Sequence, residues 1–214
     1  DPKYPLMRVV EKPHNILPTD KKYNIMMIVL ESWSSRWVDS FSSNNFGLTP
    51  HFDQLASQSL KFTNFFPNAP TSIYGITSIL MSIPQIPGFP IIGKGMEVFK
   101  LFRLGKEFKN VGYDTFFAQA PIRNSFRMEN ISKILGFEQY FGKEDYKSIH
   151  SKKSGDNGWD LETFEFVLQK ASSLKKPFFS FVFTGTTHFP YNIPSKKFEK
   201  FPHCSTSCIN GFKN

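Results

Sequence analysis

Three polar residues stand where a fold commonly places chemistry. Glu31 directly follows the apolar run NIMMIVL (24–30), and His188 follows a second apolar run, FFSFVF (178–183), within the segment TGTTHFPY. Thr71 precedes a predicted helix, where backbone N–H groups and the helix dipole favour anions. A carboxylate and an imidazole at one sheet edge can bind a divalent cation or a phosphate. A hydroxyl beside such a cation can lose its proton and attack phosphorus or sulfur.

Each of these residues also has a plain structural interpretation. An acid at a strand end is often only a surface charge, and a loop histidine is often held by local hydrogen bonds. A threonine before a helix most commonly caps that helix with its hydroxyl. Taken one at a time, Glu31, Thr71 and His188 leave both interpretations open.

Strands that alternate with helices would bring these residues together. Short continuous apolar runs suit strands that are covered on both faces, as in a parallel sheet. The predicted strands cover 24–30, Phe62–Phe66, Tyr113–Ala118 and 178–183. This alternation predicts an α/β fold with a mostly parallel central sheet flanked by helices. Ligands of such sheets bind outside the carboxyl ends of the strands, where Glu31 and His188 are expected.

The predicted helices follow from apolar spacing and from turn residues. One helix begins at the Thr-Pro of TPHFDQLASQSL and one covers 72–82, before Pro84. Two more lie in LFRLGKEFKN and ENISKIL, each followed by a glycine. The helix in WDLETFEFVLQKASSL is amphipathic, and its predicted apolar side is formed by Leu161, Phe164, Val167 and Leu168.

The composition limits the classes of function. The chain has 214 residues, of which 40% are hydrophobic and 21% charged, so it suits a globular domain with a substantial core. The net charge of +8 favours an anionic partner, such as a phosphate ester or an acidic membrane surface, or simply solubility. The chain has no arginine-rich run, RNP-like motif or C2H2 spacing, so no nucleic-acid partner is predicted.

The two cysteines stand close together. Cys204 and Cys208 lie in HCSTSC, beside His203. The sequence offers no second Cys/His pair, so a zinc site is the less favoured interpretation. A small disulfide loop in an oxidising compartment is favoured, and the sequence leaves this pairing open.

Five segments taken together resemble one family. VLESWS, TPHFDQLASQSLKFTNFF, PTSIYGITSIL, GYDTFFA and KPFFSFVFTGTTHFPY occur in the order found in the sulfatase/alkaline-phosphatase-like superfamily. The chain most resembles the lipoteichoic-acid synthase and phosphoglycerol transferase branch, over roughly Tyr23 to Tyr191. Sulfatases proper match less well, because the chain has Glu-Ser after its first strand and no C/S-x-P-x-R motif.

This resemblance implies a role for individual residues. Glu31 would be a ligand of a divalent cation, usually manganese in the synthases, with magnesium or zinc as alternatives. Thr71 would be a second ligand and the nucleophile that takes up the phosphoglycerol group. His188 would contact the phosphate or glycerol of the substrate, and Arg127, in SFRMENISKILGF, would meet phosphate. Ser72 is the alternative nucleophile, because it carries the adjacent hydroxyl.

The resemblance also implies an extracytoplasmic enzyme, periplasmic or at the cell surface, tethered by membrane helices upstream. The enzyme would move a phosphoglycerol or similar phospho group from a phospholipid to a glycan or glycolipid, through a threonine-linked intermediate. One alternative is a sulfatase or phosphodiesterase that hydrolyses sulfate or phosphate esters. A further alternative is a non-catalytic relative that binds anionic ligands.

The same family completes its metal site with an Asp-His pair, and these 214 residues contain no Asp-His dipeptide. We therefore expect residues 1–22 to form an N-terminal arm or linker and 23–214 to be the N-terminal part of a sulfatase-like catalytic domain. A further C-terminal segment or a second chain would complete the domain, and this chain alone would be inactive. The competing expectation is a degenerate relative that binds without catalysis.

Overall fold

The fold is built on a sheet of parallel strands. The computed structural model describes residues 21–88, 95, 98–147 and 157–200. The strands of these residues are β1 (Ile25–Val29), β2 (Asp114–Gln119), β3 (Gln139–Phe141) and β4 (Phe178–Phe183). They lie in the order β1-β4-β2-β3, and every neighbouring pair is parallel. The last of the described strands, β4, therefore lies inside the sheet, between β1 and β2.

The α-helices of the described residues flank this sheet. They are α1 (Pro50–Ser57), α2 (Ser72–Met81), α3 (Leu104–Asn110), α4 (Met128–Ile134) and α5 (Asp160–Ser173). Short 3-10 turns lie at Ser35–Trp37, Asp39–Phe41, Ser125–Arg127, Lys143–Asp145 and Lys196–Phe198. Within the described ranges, no helix has the length and apolar character needed to cross a bilayer.

Aromatic side chains fill the core on both faces of the sheet. Phe117, Phe179 and Phe181 pack on one face, against residues of α2, α3 and α4. Phe116 and Val182 pack on the other face, against α5. Successive residues of a strand point to opposite faces, so strands buried on both faces read as continuous apolar runs. The predicted α/β fold with a parallel sheet flanked by helices is confirmed.

The strand predicted over Phe62–Phe66 is wrong. This segment forms a turn and irregular chain outside the sheet. Phe62, Phe65 and Phe66 are 69%, 78% and 78% exposed. Aromatic residues favour a strand chiefly through packing against neighbouring strands, and none of the four described strands pairs with this segment.

The apolar side predicted for α5 is partly wrong. Val167 is fully buried and Phe164 packs against the core, but Leu161 and Leu168 are exposed. Thr163 takes a buried position on this helix instead. Its hydroxyl donates to the carbonyl one turn earlier, over 3.1 Å, so burying it leaves no polar atom unpaired.

Two expectations fall on residues that the structure does not describe. The N-terminal arm of residues 1–22 is described only at its last two positions. Cys204 and Cys208, with His203, lie outside the described residues. The domain boundary and the cysteine pairing therefore stay predictions.

We predict that Gly136→Ala lowers the free energy of unfolding by about 1–3 kcal/mol, the range for a strained backbone. Gly136 has a φ of +92°, and an added Cβ would lie 2.4 Å from the backbone nitrogen of Lys106. Gly75→Ala is the matched control, because Gly75 lies inside α2 with nothing within 4 Å of an added Cβ. It should stabilise the protein by about 0.5–1 kcal/mol. Urea unfolding measures both, and equal effects would contradict the close packing at Gly136.

Candidate functional site

The carboxyl ends of β1, β2 and β4 meet at one edge of the sheet, because the strands are parallel. Glu31 follows β1, His188 lies in the loop after β4, and Arg127 ends the 3-10 turn after β2. The N-terminus of α2 lies beside this edge, since the Ser72 hydroxyl donates to Glu31 Oε2 over 2.6 Å. This is the edge at which open parallel sheets bind ligands.

The loop after β4 fixes the backbone of Glu31. The Glu31 N–H donates to Thr184 Oγ1 over 2.8 Å, and the Thr187 hydroxyl donates to the Glu31 carbonyl. Thr184 is itself buried, and its N–H donates to the carbonyl of Val29 over 3.1 Å. The position of the Glu31 main chain therefore depends on β4 as much as on β1.

The Glu31 carboxylate accepts hydrogen bonds from two serine hydroxyl groups. Its Oε2 accepts from Ser72 at 2.6 Å, and its Oε1 accepts from the Ser32 hydroxyl at 2.9 Å. Oxygen atoms are the ligands that hard cations such as Mg²⁺ and Mn²⁺ prefer. Across the described part of the chain, no three His, Cys, Asp or Glu side chains come together to hold a metal ion. The oxygens around Glu31 thus fit one side of a cation site and do not by themselves complete one.

Thr71 occupies the N-cap position of α2, but its side chain does not cap the helix. Its backbone is extended, with φ −130° and ψ 149°, and its hydroxyl makes no capping hydrogen bond. The Thr71 carbonyl accepts from the N–H of Gly75 over 3.0 Å. Thr71 is exposed, and the first turn of α2 contains no acidic residue. An exposed hydroxyl therefore stands at a helix N-terminus, where N–H groups favour a phosphate.

His188 and Arg127 follow strands that end at the same edge, but neither side chain is hydrogen-bonded to the Glu31 carboxylate. Of the residues that the structure describes, Ser32 and Ser72 donate to the Glu31 carboxylate, whereas His188 and Arg127 do not. His188 is exposed, and its Nδ1 lies 2.8 Å from the carbonyl oxygen of Phe189. The structure thus joins Glu31 to Ser72, next to Thr71, through a direct hydrogen bond, and His188 and Arg127 are not part of this hydrogen-bonded group.

Left-handed backbone conformations concentrate at this edge. Ser32 (φ 57°) follows β1, Phe126 (φ 53°) and Arg127 (φ 56°) follow β2, and Tyr191 (φ 60°) follows β4. Among the residues with a described backbone, one further non-glycine residue of this kind, Ser82, ends α2. Such conformations cost about 1–3 kcal/mol each and cluster at active sites and ligand clamps. Their distribution supports this edge as the functional one.

Sequence reasoning missed Asp160 and Thr184. The Asp160 carboxylate accepts from the N–H of Gly185 at 2.6 Å and of Thr186 at 3.1 Å, and the Asp160 N–H donates to Thr186 Oγ1 at 2.8 Å. These bonds tie the start of α5 to the loop after β4. An acid in a first helical turn is usually attributed to the helix dipole, so the sequence alone did not single Asp160 out.

An ion-pair network holds the segment between β2 and α4. The Arg123 guanidinium donates to Glu129 over 2.9 Å and pairs with Asp145. The hydrogen bond from Arg123 lowers the pKa of the Glu129 carboxyl, and the same bond raises the pKa of Arg123. The Tyr140 hydroxyl donates to the Arg123 carbonyl over 2.8 Å, and burial raises the pKa of this phenol. The network thereby anchors the chain just before Arg127.

This network predicts a dependence of stability on pH. The pKa of Glu129 is lower in the folded chain than its ordinary value of 4.5. Its carboxylate therefore stabilises the fold above that pH, and the contribution is lost as the pH falls through the folded-state pKa. In urea unfolding from pH 7 down to pH ~3, Glu129→Gln should show a shallower loss of stability than the parent chain. Identical pH profiles would contradict a stabilising role for the Arg123–Glu129 pair.

A second prediction concerns the bond between Thr184 and Glu31. Thr184→Val keeps the shape of the side chain but leaves the Glu31 N–H without its acceptor, so the free energy of unfolding should fall by about 1–3 kcal/mol. Thr77→Val is the control, because the hydroxyl of this buried threonine only donates to the Ile73 carbonyl within α2. Urea unfolding compares the two. If Thr184→Val lowers the free energy of unfolding no more than Thr77→Val does, the hydrogen bond between Glu31 and Thr184 does not have the predicted stabilising role.

The sequence matches a known family over most of its length. The family model described as Sulfatase matches residues 23–210. Lipoteichoic acid synthase 1 of Bacillus subtilis is 26% identical over 182 residues, covering 82% of this chain and 28% of the relative. Phosphoglycerol transferase I of Escherichia coli is 27% identical over 198 residues, covering 87% of this chain and 25% of the relative. The chain thus spans about a quarter of the length of these relatives.

Solved structures share the fold. A protein of the alkaline phosphatase superfamily from Vibrio parahaemolyticus superposes with a TM-score of 0.79 at 24% identity, covering 90% of this chain and 47% of that one. The lipoteichoic acid synthase LtaP from Listeria monocytogenes gives 0.70 at 15% identity, covering 89% and 48%. A periplasmic domain from Escherichia coli, solved in complex with Zn, gives 0.62 at 13% identity, covering 91% and 55%. The family model covers most of the chain and the fold agrees with it: this protein belongs to the sulfatase family.

Proposed function

We propose that this chain carries the nucleophile side of a metal-dependent phosphoglycerol transferase site that works outside the cytoplasm. The observation that carries the proposal is the hydrogen bond between Ser72 and Glu31, which joins the acid after β1 to the helix start where Thr71 is exposed. Two relatives are named as a lipoteichoic acid synthase and a phosphoglycerol transferase, which supports phosphoglycerol as the transferred group.

In the proposed reaction, Thr71 takes up the phosphoglycerol group from a phospholipid. The Thr71 oxygen forms a bond to phosphorus, the bond from phosphorus to the diacylglycerol oxygen breaks, and the proton lost by Thr71 ends on the diacylglycerol. A hydroxyl of a glycan or glycolipid acceptor then attacks the same phosphorus, the bond from phosphorus to the Thr71 oxygen breaks, and the proton lost by the acceptor returns to Thr71. The N–H groups at the start of α2 stabilise charge on the phosphoryl oxygens. His188 contacts the phosphate or glycerol, and Arg127 pairs with phosphate.

The proposed cation ligands in this chain are Glu31 and Thr71. Ser32 and Ser72 would orient the Glu31 carboxylate through their hydrogen bonds. A bound divalent cation supplies charge stabilisation at the phosphoryl group and lowers the pKa of a nearby hydroxyl. Oxygen ligands favour manganese or magnesium, and zinc is the alternative because a domain of the same fold was solved with Zn.

We propose that residues beyond this chain, in a further segment or a second chain, complete the cation site. Residues 23–214 would be the N-terminal part of the catalytic domain, preceded by an arm at 1–22, and inactive alone. The chain covers about half of the solved structures that share its fold, which supports this arrangement. Membrane helices upstream would tether the domain at the periplasmic or cell surface. The net charge of +8 suits an anionic lipid surface.

The first test separates the two candidate nucleophiles in the protein that carries the complete cation site. After incubation with phosphatidylglycerol and Mn²⁺, mass spectrometry should detect one phosphoglycerol group on Thr71. Thr71→Ala should abolish this adduct and lower turnover by about 10³-fold or more, the scale for losing a nucleophile. Ser72→Ala should keep the adduct and slow its formation, because Ser72 orients Glu31 without attacking phosphorus.

Thermal unfolding of both variants shows whether the fold is intact. An adduct on Ser72, or full turnover in Thr71→Ala, would reject Thr71 as the nucleophile. An adduct absent from every form, with unchanged ligand affinity after removal of metal, would favour the non-catalytic alternative instead.

The alternative function is hydrolysis of sulfate or phosphate esters. The name of the matching family, Sulfatase, supports it. Comparing release of sulfate from an aryl sulfate with release of diacylglycerol from phosphatidylglycerol separates the two functions. The transferase proposal expects diacylglycerol release that rises when an acceptor glycan is added. Faster sulfate release, with no effect of a glycan, would assign the chain to the hydrolases.

A further inference from the structure

We propose that a cavity beside Glu31 binds a sugar ring of the acceptor, an inference that rests on the transferase function proposed above. The cavity measures about 290 Å³ and lies between the segment after β1, the start of α1 and the loop after β4. The residues of its wall that the argument uses are Trp33, Ser34, Val38, His51, Phe52 and Thr187.

Aromatic rings form one wall of this cavity. The rings of Trp33 and Phe52 lie 5.5 Å apart at an angle of 55°, and Val38 is buried beside them. Trp33 keeps 36% of its surface exposed, so part of this residue remains accessible to a ligand. The C–H groups on one face of a sugar ring carry partial positive charge, and the face of an aromatic ring is negative. A pyranose therefore stacks well on such a wall.

Polar groups interrupt the apolar wall at a few points. Ser34, His51 and Thr187 contribute hydroxyl and imidazole groups to the lining. A few polar groups among aromatic side chains are typical of sites for small ligands, whose cavities start at about 300 Å³. Sugar hydroxyls can use these groups, whereas an acyl chain has no hydrogen bonds to offer them. The size also suits one ring better than the two acyl chains of a phospholipid.

The position of the cavity matches the need of an acceptor. Trp33 follows Glu31 by two residues, and the Thr187 hydroxyl donates to the Glu31 carbonyl. A sugar held there lies on the side of the Glu31 main chain, and the Glu31 carboxylate in turn contacts Ser72 at the start of α2. Holding two reactants side by side is itself a large part of catalysis of group transfer.

Hydrogen bonds hold together the two segments that form the aromatic wall of the cavity. The Asp53 carboxylate, on α1, accepts from the Ser40 N–H at 2.8 Å and from the Thr49 hydroxyl at 2.9 Å. The Ser40 hydroxyl also donates to Asp53, and this bond lowers the pKa of the Asp53 carboxyl. These bonds link the segment after β1 to α1, the two elements that carry Trp33 and Phe52. The segments that carry the Trp33 and Phe52 rings are therefore linked to each other in the absence of a ligand.

The test is a titration of the protein that carries the complete cation site with methyl β-D-glucopyranoside, methyl β-D-galactopyranoside and N-acetylglucosamine, followed by NMR of the tryptophan indole N–H signals. At least one sugar should shift the Trp33 signal in a saturable way. Measured on the signal of Trp37, which also lines the cavity, Trp33→Ala should weaken binding by about tenfold, the scale of one aromatic partner, and Trp33→Phe should recover part of the loss. Phe99→Ala, at a phenylalanine 62% exposed and outside the cavity lining, is the matched control and should bind as the parent does.

Two outcomes overturn the proposal. One is the absence of a saturable shift with all three sugars. The other is a shift of the Trp33 signal by octyl sulfate but by no sugar, which would assign the cavity to a lipid chain. Thr71→Ala distinguishes failure of this proposal from failure of the proposed function, because it should lose the phosphoglycerol adduct and still bind the sugar.

Discussion

The parallel pairing of β1 with β4 is the constraint on which the candidate site depends. In the observed register Val29 lies opposite Phe183, so the next residue of the inner strand, Thr184, reaches the main chain of Glu31. A shift of one residue would turn every side chain of β1 to the opposite face. The carboxylate would then face away from Ser72. The chemistry at this edge is therefore fixed by the fit of apolar side chains within the sheet.

The aromatic core makes that pairing rigid. Phe179 stacks on Phe108 at 4.2 Å, and Phe181 stacks on Phe117 at 4.9 Å, so the inner strand is packed against both a helix and its neighbouring strand. Loops that carry function work best on such a scaffold. The Asp160 carboxylate then fixes the loop after β4 from the side of α5. The aromatic core thus fixes β4, β4 and Asp160 fix the loop after it, and this loop holds the main chain of Glu31.

The sequence predicts the architecture well, because buried parallel strands leave continuous apolar runs that few other structures produce. It misses β3, which is three residues long and too short to show a period. It misassigns the exposed aromatic segment at 62–66, because a strand needs a partner that local sequence does not specify. Likewise, residue types at a strand end and before a helix point to Glu31 and Thr71. Which of two adjacent hydroxyls meets the acid depends on how α2 is rotated, and tertiary packing sets that rotation.

The order of the strands has a consequence for folding during synthesis of the chain. The bond between the Glu31 N–H and Thr184 joins residues 153 positions apart, and the inner strand β4 is made after the other three described strands, including both of its neighbours. A growing chain therefore exposes β1 and β2 without their common neighbour for most of its synthesis. Long-range pairings of this kind form slowly. The Glu31 main chain reaches the Thr184 hydroxyl only after β4 has paired with β1. A partly synthesised chain that ends after α2 therefore contains Glu31, Thr71 and Ser72 but lacks the strand that holds Glu31 in place.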